Sequence, residues 1–332
     1  MTEPPGGTGG SRARRAPGEE EAVGSWFELV APRTLVDRSP RIRLPLSLGD
    51  EVFVAAGDSV QPGLLLAERL RHAHLEEHGR RGQPFGHEKQ ITVAGHEWFI
   101  TGGQRHPLES PATGIVRSVD PTAGLAIDVA GNALHGVLAV GGPSRGRLEI
   151  ATGADGELRP AAVDVGRAGT ILVVGSRVAA ETLTRARAMG VRGVIVGALS
   201  GKDQRDFEAS ERRQRASVHH LASFAVLVLD GVLRRPISSP VMKLLETLEG
   251  SEVAIVGDPP ALLFQDPKGR IPEAPPGWVR ARSGPMAGRE GHWLGPAGQR
   301  RFGAAMHLEA GFVRFGEGAP TPVPLADLER LV

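Results

Sequence analysis

TILVVGSRVAAETLTRARAMGVRGVIVGALS (170–200) decides the fold class of this chain. TILVVGS (170–176) is an unbroken apolar run closed by Gly-Ser, the pattern of a strand buried on both faces. VAAETLTRARAMG (178–190) has helical periodicity and stops at Gly190, a residue type suited to the left-handed position after a helix. RGVIVGALS (192–200) is a second buried strand.

The same alternation continues toward the carboxyl end. KDQRDFEASERRQRA (202–216) predicts a charged helix, and FAVLVLD (224–230) predicts a third strand. SPVMKLLETLEG (239–250) predicts a helix with Ser239 as N-cap, Pro240 in the first turn and Gly250 as the stop. EVAIVGD (252–258) predicts a fourth strand. Strands alternating with helices imply βαβ units and a small parallel sheet with right-handed crossovers. DPKGRIPEAPPG (266–277) is a Pro/Gly-rich linker, and short β segments follow it.

Toward the amino end the chain is mainly β. EVFVAAGDSVQPGLLLAERL (51–70) reads as strand, turn, strand around Gly57-Asp58 and Pro62-Gly63. A polar, histidine-rich stretch follows, with a short helix expected near 71–80, then a hairpin-like pair, ITVAG and EWFITGG. ESPATGIVRSVDPTAGLAIDVAG (109–131) returns to short strands. The first 24 residues, rich in Pro, Gly and charge, read as a disordered tail; they contain no apolar segment of the kind that begins a secretory signal.

Composition narrows the chemistry. The chain has 332 residues, 40% hydrophobic and 23% charged, with a formal net charge of +1. That size suits two or three domains, and the charge balance does not suit a dedicated basic nucleic-acid binder. There is no cysteine, which removes disulfides, thiolate metal sites and thiol nucleophiles. No apolar run reaches the ~18–20 residues of a membrane-spanning helix. A cytoplasmic setting is the expectation.

Two segments resemble the halves of a barrel-sandwich hybrid, the fold of biotinyl and lipoyl carrier domains: Val54-Ala-Ala-Gly57-Asp58-Ser-Val60-Gln-Pro62-Gly63 and Ser110-Pro111-Ala-Thr-Gly114-Ile-Val116. Such carriers hold their cofactor on a hairpin lysine. The four lysines here (Lys89, Lys202, Lys243, Lys268) all lie outside both half-motifs, so no biotin or lipoyl attachment is expected. The region is more similar to the non-carrier hybrid domain of the RnfC family of electron-transport proteins, without the iron–sulfur cysteines of that family. Residues 168–263 resemble a domain of an uncharacterised bacterial family, on Val-Gly-Ser (174–176), Gly-Val-Ile-Val-Gly (193–197) and Leu-Glu-Gly (248–250). That resemblance implies an architecture and no activity. Val279-Arg-Ala-Arg-Ser-Gly284-Pro285-Met-Ala-Gly288-Arg-Glu-Gly291 resembles the KOW motif of NusG-type transcription factors and some ribosomal proteins, an SH3-like barrel that contacts RNA or protein.

Each of these modules has its own place for chemistry. Open parallel sheets bind ligands beyond the carboxyl ends of their strands. That rule selects Ser176, Arg177, Ser200, Lys202 and Asp230 as candidate ligand-binding residues; Arg234-Arg235 with Ser238-Ser239, between the third strand and a helix N-terminus, are a candidate anion pocket whose competing reading is a solvated loop with a cap. Gly197-Ala-Leu-Ser-Gly201-Lys202-Asp203 has a phosphate-loop outline, but only three residues separate its glycines and Asp203 stands where a hydroxyl is needed. Its competing reading is a strand-to-helix turn capped by Ser200 or Asp203. On the terminal barrel, Arg280, Arg282, Arg289, Arg300 and Arg301 are candidate nucleic-acid contacts, with Trp278, Trp293 and Phe302 able either to stack or to fill a small core. His74 and His78 are candidate metal ligands if 71–80 is helical, four residues apart on one face. No catalytic constellation is legible, and no cofactor is expected.

The sequence therefore predicts a multidomain α/β plus all-β protein. Its expected divisions are a tail (1–24), a barrel-sandwich-hybrid-like β domain (25–165, insertion 71–108), an α/β domain (166–265), a linker (266–277) and an SH3-like barrel (278–332). The leading functional expectation is a non-catalytic adaptor for protein partners. The alternatives are an RNA- or ribosome-associated factor acting through the terminal barrel, and a small-anion sensor or enzyme using the strand ends.

Overall fold

A computed structural model describes residues 26–77, 89–93, 96–121, 123–217, 222–266 and 270–332. The predicted tail and His78 lie outside the described residues. The chain divides into two compact units, residues 34–273 and a smaller one made of the amino-terminal segment to Arg33 with Ala274–Val332.

The class is mixed α/β and β, as the alternation of patterns implies. The larger unit is organised around one nine-stranded sheet. Its strand order is Leu138–Gly141, Ala225–Gly231, Gly193–Ala198, Thr170–Arg177, Ser144–Ile150, Glu252–Gly257, Pro260–Phe264, Asn132–His135 and Asp37–Arg38. Ser144–Ile150, Thr170–Arg177, Gly193–Ala198 and Ala225–Gly231 pair in parallel. Three of these four strands are the predicted ones.

The fourth differs from expectation. Glu252–Gly257 runs antiparallel to Ser144–Ile150, with Ser144 opposite Ile255. Gly250, at φ +78°, turns the chain so that its N–H donates to the Leu148 carbonyl. The new strand thus enters beside the carboxyl half of Ser144–Ile150 and has to run back along it. The true fourth parallel strand, SRGRLEI, was hidden because Arg145, Arg147 and Glu149 interrupt its apolar run. The sheet also crosses the boundary expected at 165/166, since strands from both sides of that point hydrogen-bond within it.

Helices Ala180–Ala188 and Gly201–Ser217 provide the crossovers between parallel strands. Leu183, Ala186 and Phe207 bury against Leu172, Val174, Val194 and Val196 of the sheet and against Phe224. A buried ion pair, Arg187 with Glu211, links the two helices. Gly190, at φ +83°, ends the first of them as predicted.

The antiparallel half of the sheet carries the β-rich module. Ile42, Leu44, Val60, Leu66, Val116, Leu125 and Ile127 pack with Ala254, Val256, Ala261 and Leu263. Two four-stranded sheets build this module. The two segments that carry the hybrid resemblance pair with each other: Ser59 lies opposite Ile115, and Val60 opposite Gly114. Gly57 N donates to the Val116 carbonyl and Val116 N to that of Asp58. A Cβ on Gly114 would lie 2.4 Å from the Asp128 carbonyl oxygen, which is why this close crossing takes glycine.

Residues 71–77 are strand rather than helix. Leu65–Glu77 pairs with His96–Glu109 as a long antiparallel arm, and Lys89–Val93 adds a third strand to it. The predicted hairpin around ITVAG and EWFITGG is this outer pair. The helix expected near 71–80 fails because pairing with His96–Glu109 satisfies the backbone of a polar segment that lacks an apolar helical face.

The smaller unit is a six-stranded sheet ordered Ala31–Arg33, Leu328–Leu331, Trp278–Ala281, Glu290–Arg301, His307–Arg314 and Thr321–Pro324. Its core is Val30, Val279, Ala281, Trp293, Val313, Phe315, Val323 and Leu328. Ala31–Arg33 pairs in parallel with Leu328–Leu331, so an amino-terminal strand belongs to the carboxyl-terminal unit. That pairing was invisible in the sequence, because the two strands come from opposite ends of the chain and APR has no strand signature.

Candidate functional site

The carboxyl ends of the four parallel strands lie on one edge of the sheet, and the selected residues gather there. Close backbone packing builds the floor. A Cβ on Gly175 would meet Gly153 O at 2.2 Å and Gly156 N at 2.4 Å, so the loop after Ser144–Ile150 rests directly on the 170–177 strand. Gly175 N donates to Thr152 Oγ1 at 2.8 Å, and Ile237 N donates to Ala154 O at 3.0 Å. Loops 152–156 and 232–238 therefore meet over the end of that strand.

Ser176 is fully buried. Its Oγ donates to Asp155 O at 3.0 Å and accepts from Arg234 Nε at 3.1 Å. Arg234 also reaches Asp155 Oδ1 at 3.8 Å. Ser176 thus fastens one loop to another.

The second cluster centres on Asp203, which is 9% exposed. Asp203 Oδ2 accepts from Ser200 Oγ at 2.5 Å and from Arg177 Nη2 at 3.3 Å; Oδ1 accepts from Ala180 N at 3.2 Å. In return Asp203 N donates to Ser200 Oγ at 3.1 Å. This is reciprocal capping of the 201–217 helix, with the same carboxylate also serving the first turn of the 180–188 helix. Burial pushes the Asp203 carboxyl upward. The Ser200 hydroxyl, the Ala180 N–H and the Arg177 guanidinium outweigh it and hold the group below the usual aspartate range.

The capping reading of 197–203 is the one realised. A protein carboxylate already occupies the place between two helix starts where an external phosphate would bind. Lys202 is exposed on the helix and points to no partner in this cluster, and Asp230 is half-buried at the end of its strand. Arg235 Nε is buried without an acceptor. Sequence reasoning missed Thr152, Gly153, Asp155 and Gly156, since a TGADG loop carries no ligand signature of its own.

On the smaller unit the five selected arginines separate. Arg280 is 1% exposed and donates to Glu329 Oε1 at 3.3 Å, so it belongs to the interior and not to a basic face. Its strand places it opposite Glu329, and Arg33 adds a second cation 3.8 Å from the same oxygen. Arg282, Arg289, Arg300 and Arg301 are exposed. Arg289 lies over the Phe315 ring at 5.3 Å and Arg300 over Phe312 at 5.6 Å. Trp278 and Trp293 pack inward rather than offering stacking faces, each 7% exposed. The quoted glycine-rich segment forms a strand, a loop and a strand, with Gly284 at φ +75° and Gly288 at +84°.

His74 lies in the strand Leu65–Glu77, so the helical spacing that motivated a His74/His78 metal pair is not formed there, and His78 is outside the described residues. Among the described residues no group of three or more histidines and carboxylates is arranged to hold a metal ion. Among them, also, no helix is long and apolar enough to cross a membrane. The fold and its strand-end cluster define a mixed α/β and β protein in which Ser176, Arg177, Ser200, Asp203 and Arg234 are bonded to one another or to neighbouring loops. The chain matches no protein-family model and no curated protein sequence.

Proposed function

We propose that this chain is a non-catalytic adaptor that binds protein partners in the cytoplasm through several β-rich modules. One observation supports the reading most. At the sheet edge where an α/β enzyme assembles its reactive groups, Ser176, Arg177, Ser200, Asp203 and Arg234 are engaged with each other or with neighbouring loops. Groups held this way fasten loops and helix starts to the end of the sheet. Hybrid-like and SH3-like modules in the two β regions, suggested by the quoted motifs, would supply the docking surfaces. Affinity purification of the full chain under gentle conditions, followed by cross-linking, is the test. Recovery of a stoichiometric protein partner is expected; turnover of a small molecule with no macromolecular partner would refute the reading.

A second reading is RNA association through the smaller unit. It is favoured by exposed Arg282, Arg289, Arg300 and Arg301, two of them resting on aromatic rings. RNA binding that weakens with salt and is lost on Arg282→Ala with Arg289→Ala would select this reading over the first. Arg280 is unsuited to that test because it is buried.

A further inference from the structure

We infer that the outer sheet face around Phe53 and Leu65, at the base of the long arm, is the docking surface for an amphipathic helix of a partner protein that carries Lys or Arg beside its apolar stripe. The inference rests on the adaptor reading and names its contact face. The face is built by the strands Glu51–Val52, Leu65–Glu77 and His96–Glu109. Val52 and Val54 pack against the buried core of the β-rich module, so alternation along the chain turns Glu51 and Phe53 outward. Phe53 N donates to the Leu66 carbonyl at 2.9 Å, which keeps Phe53 in the sheet. A register shift between Leu65 and Ala67 puts one extra residue into this strand. Leu66 and Ala67 are both wholly buried, and Leu65 is left facing out, opposite Glu109. Phe53, Leu64 and Leu65 are 49%, 44% and 39% exposed.

An antiparallel sheet at a surface ordinarily alternates apolar inward and polar outward. The neighbouring sheet of the same module follows that rule. Arg41, Arg43 and Arg117 are exposed on it, with Arg41 bonded to Asp128 at 2.5 Å. Ile115 is a single exposed apolar residue there, placed between Ser59 and Asp128. At Phe53 and Leu65 the rule fails on two adjacent strands, and Pro107, exposed opposite Glu68, extends the apolar surface. Three adjacent strands span about 10 Å, the width of one helix. The rim of this surface is acidic. Glu109 stands opposite Leu65, and Glu51 and Glu68 face each other one step along the same strands. Arg105 pairs with both of the latter, at 3.1 and 3.6 Å. Three carboxylates against one guanidinium leave the rim negative, so it complements a cationic helix and repels an anionic lipid surface.

The test uses the full chain and two labelled helical model peptides, titrated by fluorescence anisotropy. One peptide carries a leucine stripe flanked by lysines; the other has glutamates in place of the lysines. Unaltered protein is expected to bind the lysine peptide at least about tenfold tighter than the glutamate peptide. Phe53→Ser combined with Leu65→Ser is expected to weaken the lysine peptide by about tenfold or more, Glu109→Lys to narrow the preference between the peptides by about tenfold, and Ile115→Ser to change neither. The circular-dichroism midpoint shows which variants are folded, and Glu109→Lys, at an exposed position, decides the matter should the double variant not fold. Equal binding of the two peptides by unaltered protein, or a folded double variant and a Glu109→Lys variant that both bind as the unaltered protein does, would overturn the surface. So would self-association of the unaltered protein that the double variant abolishes, which assigns the face to a second copy. A stoichiometric partner that the folded double variant still captures removes this face and leaves the adaptor reading. Purification that yields no partner removes the adaptor reading, and the peptide titration then judges the face by itself.

Discussion

Replacing Asp203 by alanine is the most direct probe of the strand-end cluster. The change removes the acceptor for three donors, Ser200 Oγ, Ala180 N and Arg177 Nη2, at 2.5, 3.2 and 3.3 Å. The first two belong to helix starts packed on the sheet, and their loss carries most of the cost. Arg177 retains 45% side-chain exposure, so water replaces its partner at little cost. Hydrogen bonds to a charged group are worth about 1.5–3 kcal/mol each and do not add fully when they share one acceptor, so the expected loss is roughly 2–4 kcal/mol. For a unit of residues 34–273, that is a melting temperature roughly 5–15 °C lower. Far-UV circular dichroism at the helical minimum reports this unit, since all three described helices of nine residues or more lie in it. Tryptophan fluorescence serves as the control, because Trp26, Trp278 and Trp293 belong to the other unit and Trp98 alone to this one. The pH dependence follows from the lowered carboxyl. A group depressed in the folded state contributes stability that is complete above its unfolded value, about 3.9, and is lost as pH falls through the folded value. The difference between wild type and Asp203→Ala is therefore constant from neutral pH to about 5 and shrinks below about 4. A difference under about 0.5 kcal/mol at pH 7, or one that stays constant down to pH 2, would refute the assignment of Asp203 as the hub.

Further outcomes are expected elsewhere in the molecule. Glu329→Gln removes the carboxylate 3.3 Å from the buried Arg280 guanidinium and should lower the fluorescence-monitored unfolding free energy by more than the roughly 1 kcal/mol that an exposed pair would give. Trp293 Nε1 is buried without an acceptor, so Trp293→Phe should fall within about 1 kcal/mol of wild type in urea unfolding, while Trp293→Ala should cost about 3–5. Gly175→Ala drives a methyl into Gly153 O and Gly156 N, so it should destabilise the larger unit by at least about 2 kcal/mol; a neutral result by circular dichroism would contradict the close loop packing. Deleting residues 1–33 removes a paired strand and Val30, which is wholly buried, and should lower the tryptophan-reported midpoint of the carboxyl-terminal unit.

Much of the architecture was legible because it rests on local chemistry. The runs at 170–176, 192–200 and 224–230 contain too few polar groups to tolerate water on either face, which identifies them as interior strands. The role of Ser200 and Asp203 as caps was also readable, since their spacing matches the reach of a side chain back to a helix start. The N-cap of the last helix was misplaced by one residue, to Ser239 rather than Ser238, because adjacent serines are equivalent in one dimension.

The sequence by itself determined where the chain turns, which segments must be shielded from water and which nucleophile classes are missing. Those properties follow from side-chain size, polarity and the allowed backbone angles of each residue, all local quantities. Only the tertiary structure decided that Glu252–Gly257 runs antiparallel, that Ala31–Arg33 completes a sheet with Leu328–Leu331, that Arg280 faces inward, and that Arg235 Nε is buried without an acceptor. Direction, partnership and satisfaction depend on which distant groups arrive at the same place. Strand pairing joins residues of any sequence separation through the same backbone donors and acceptors, so no local pattern encodes them.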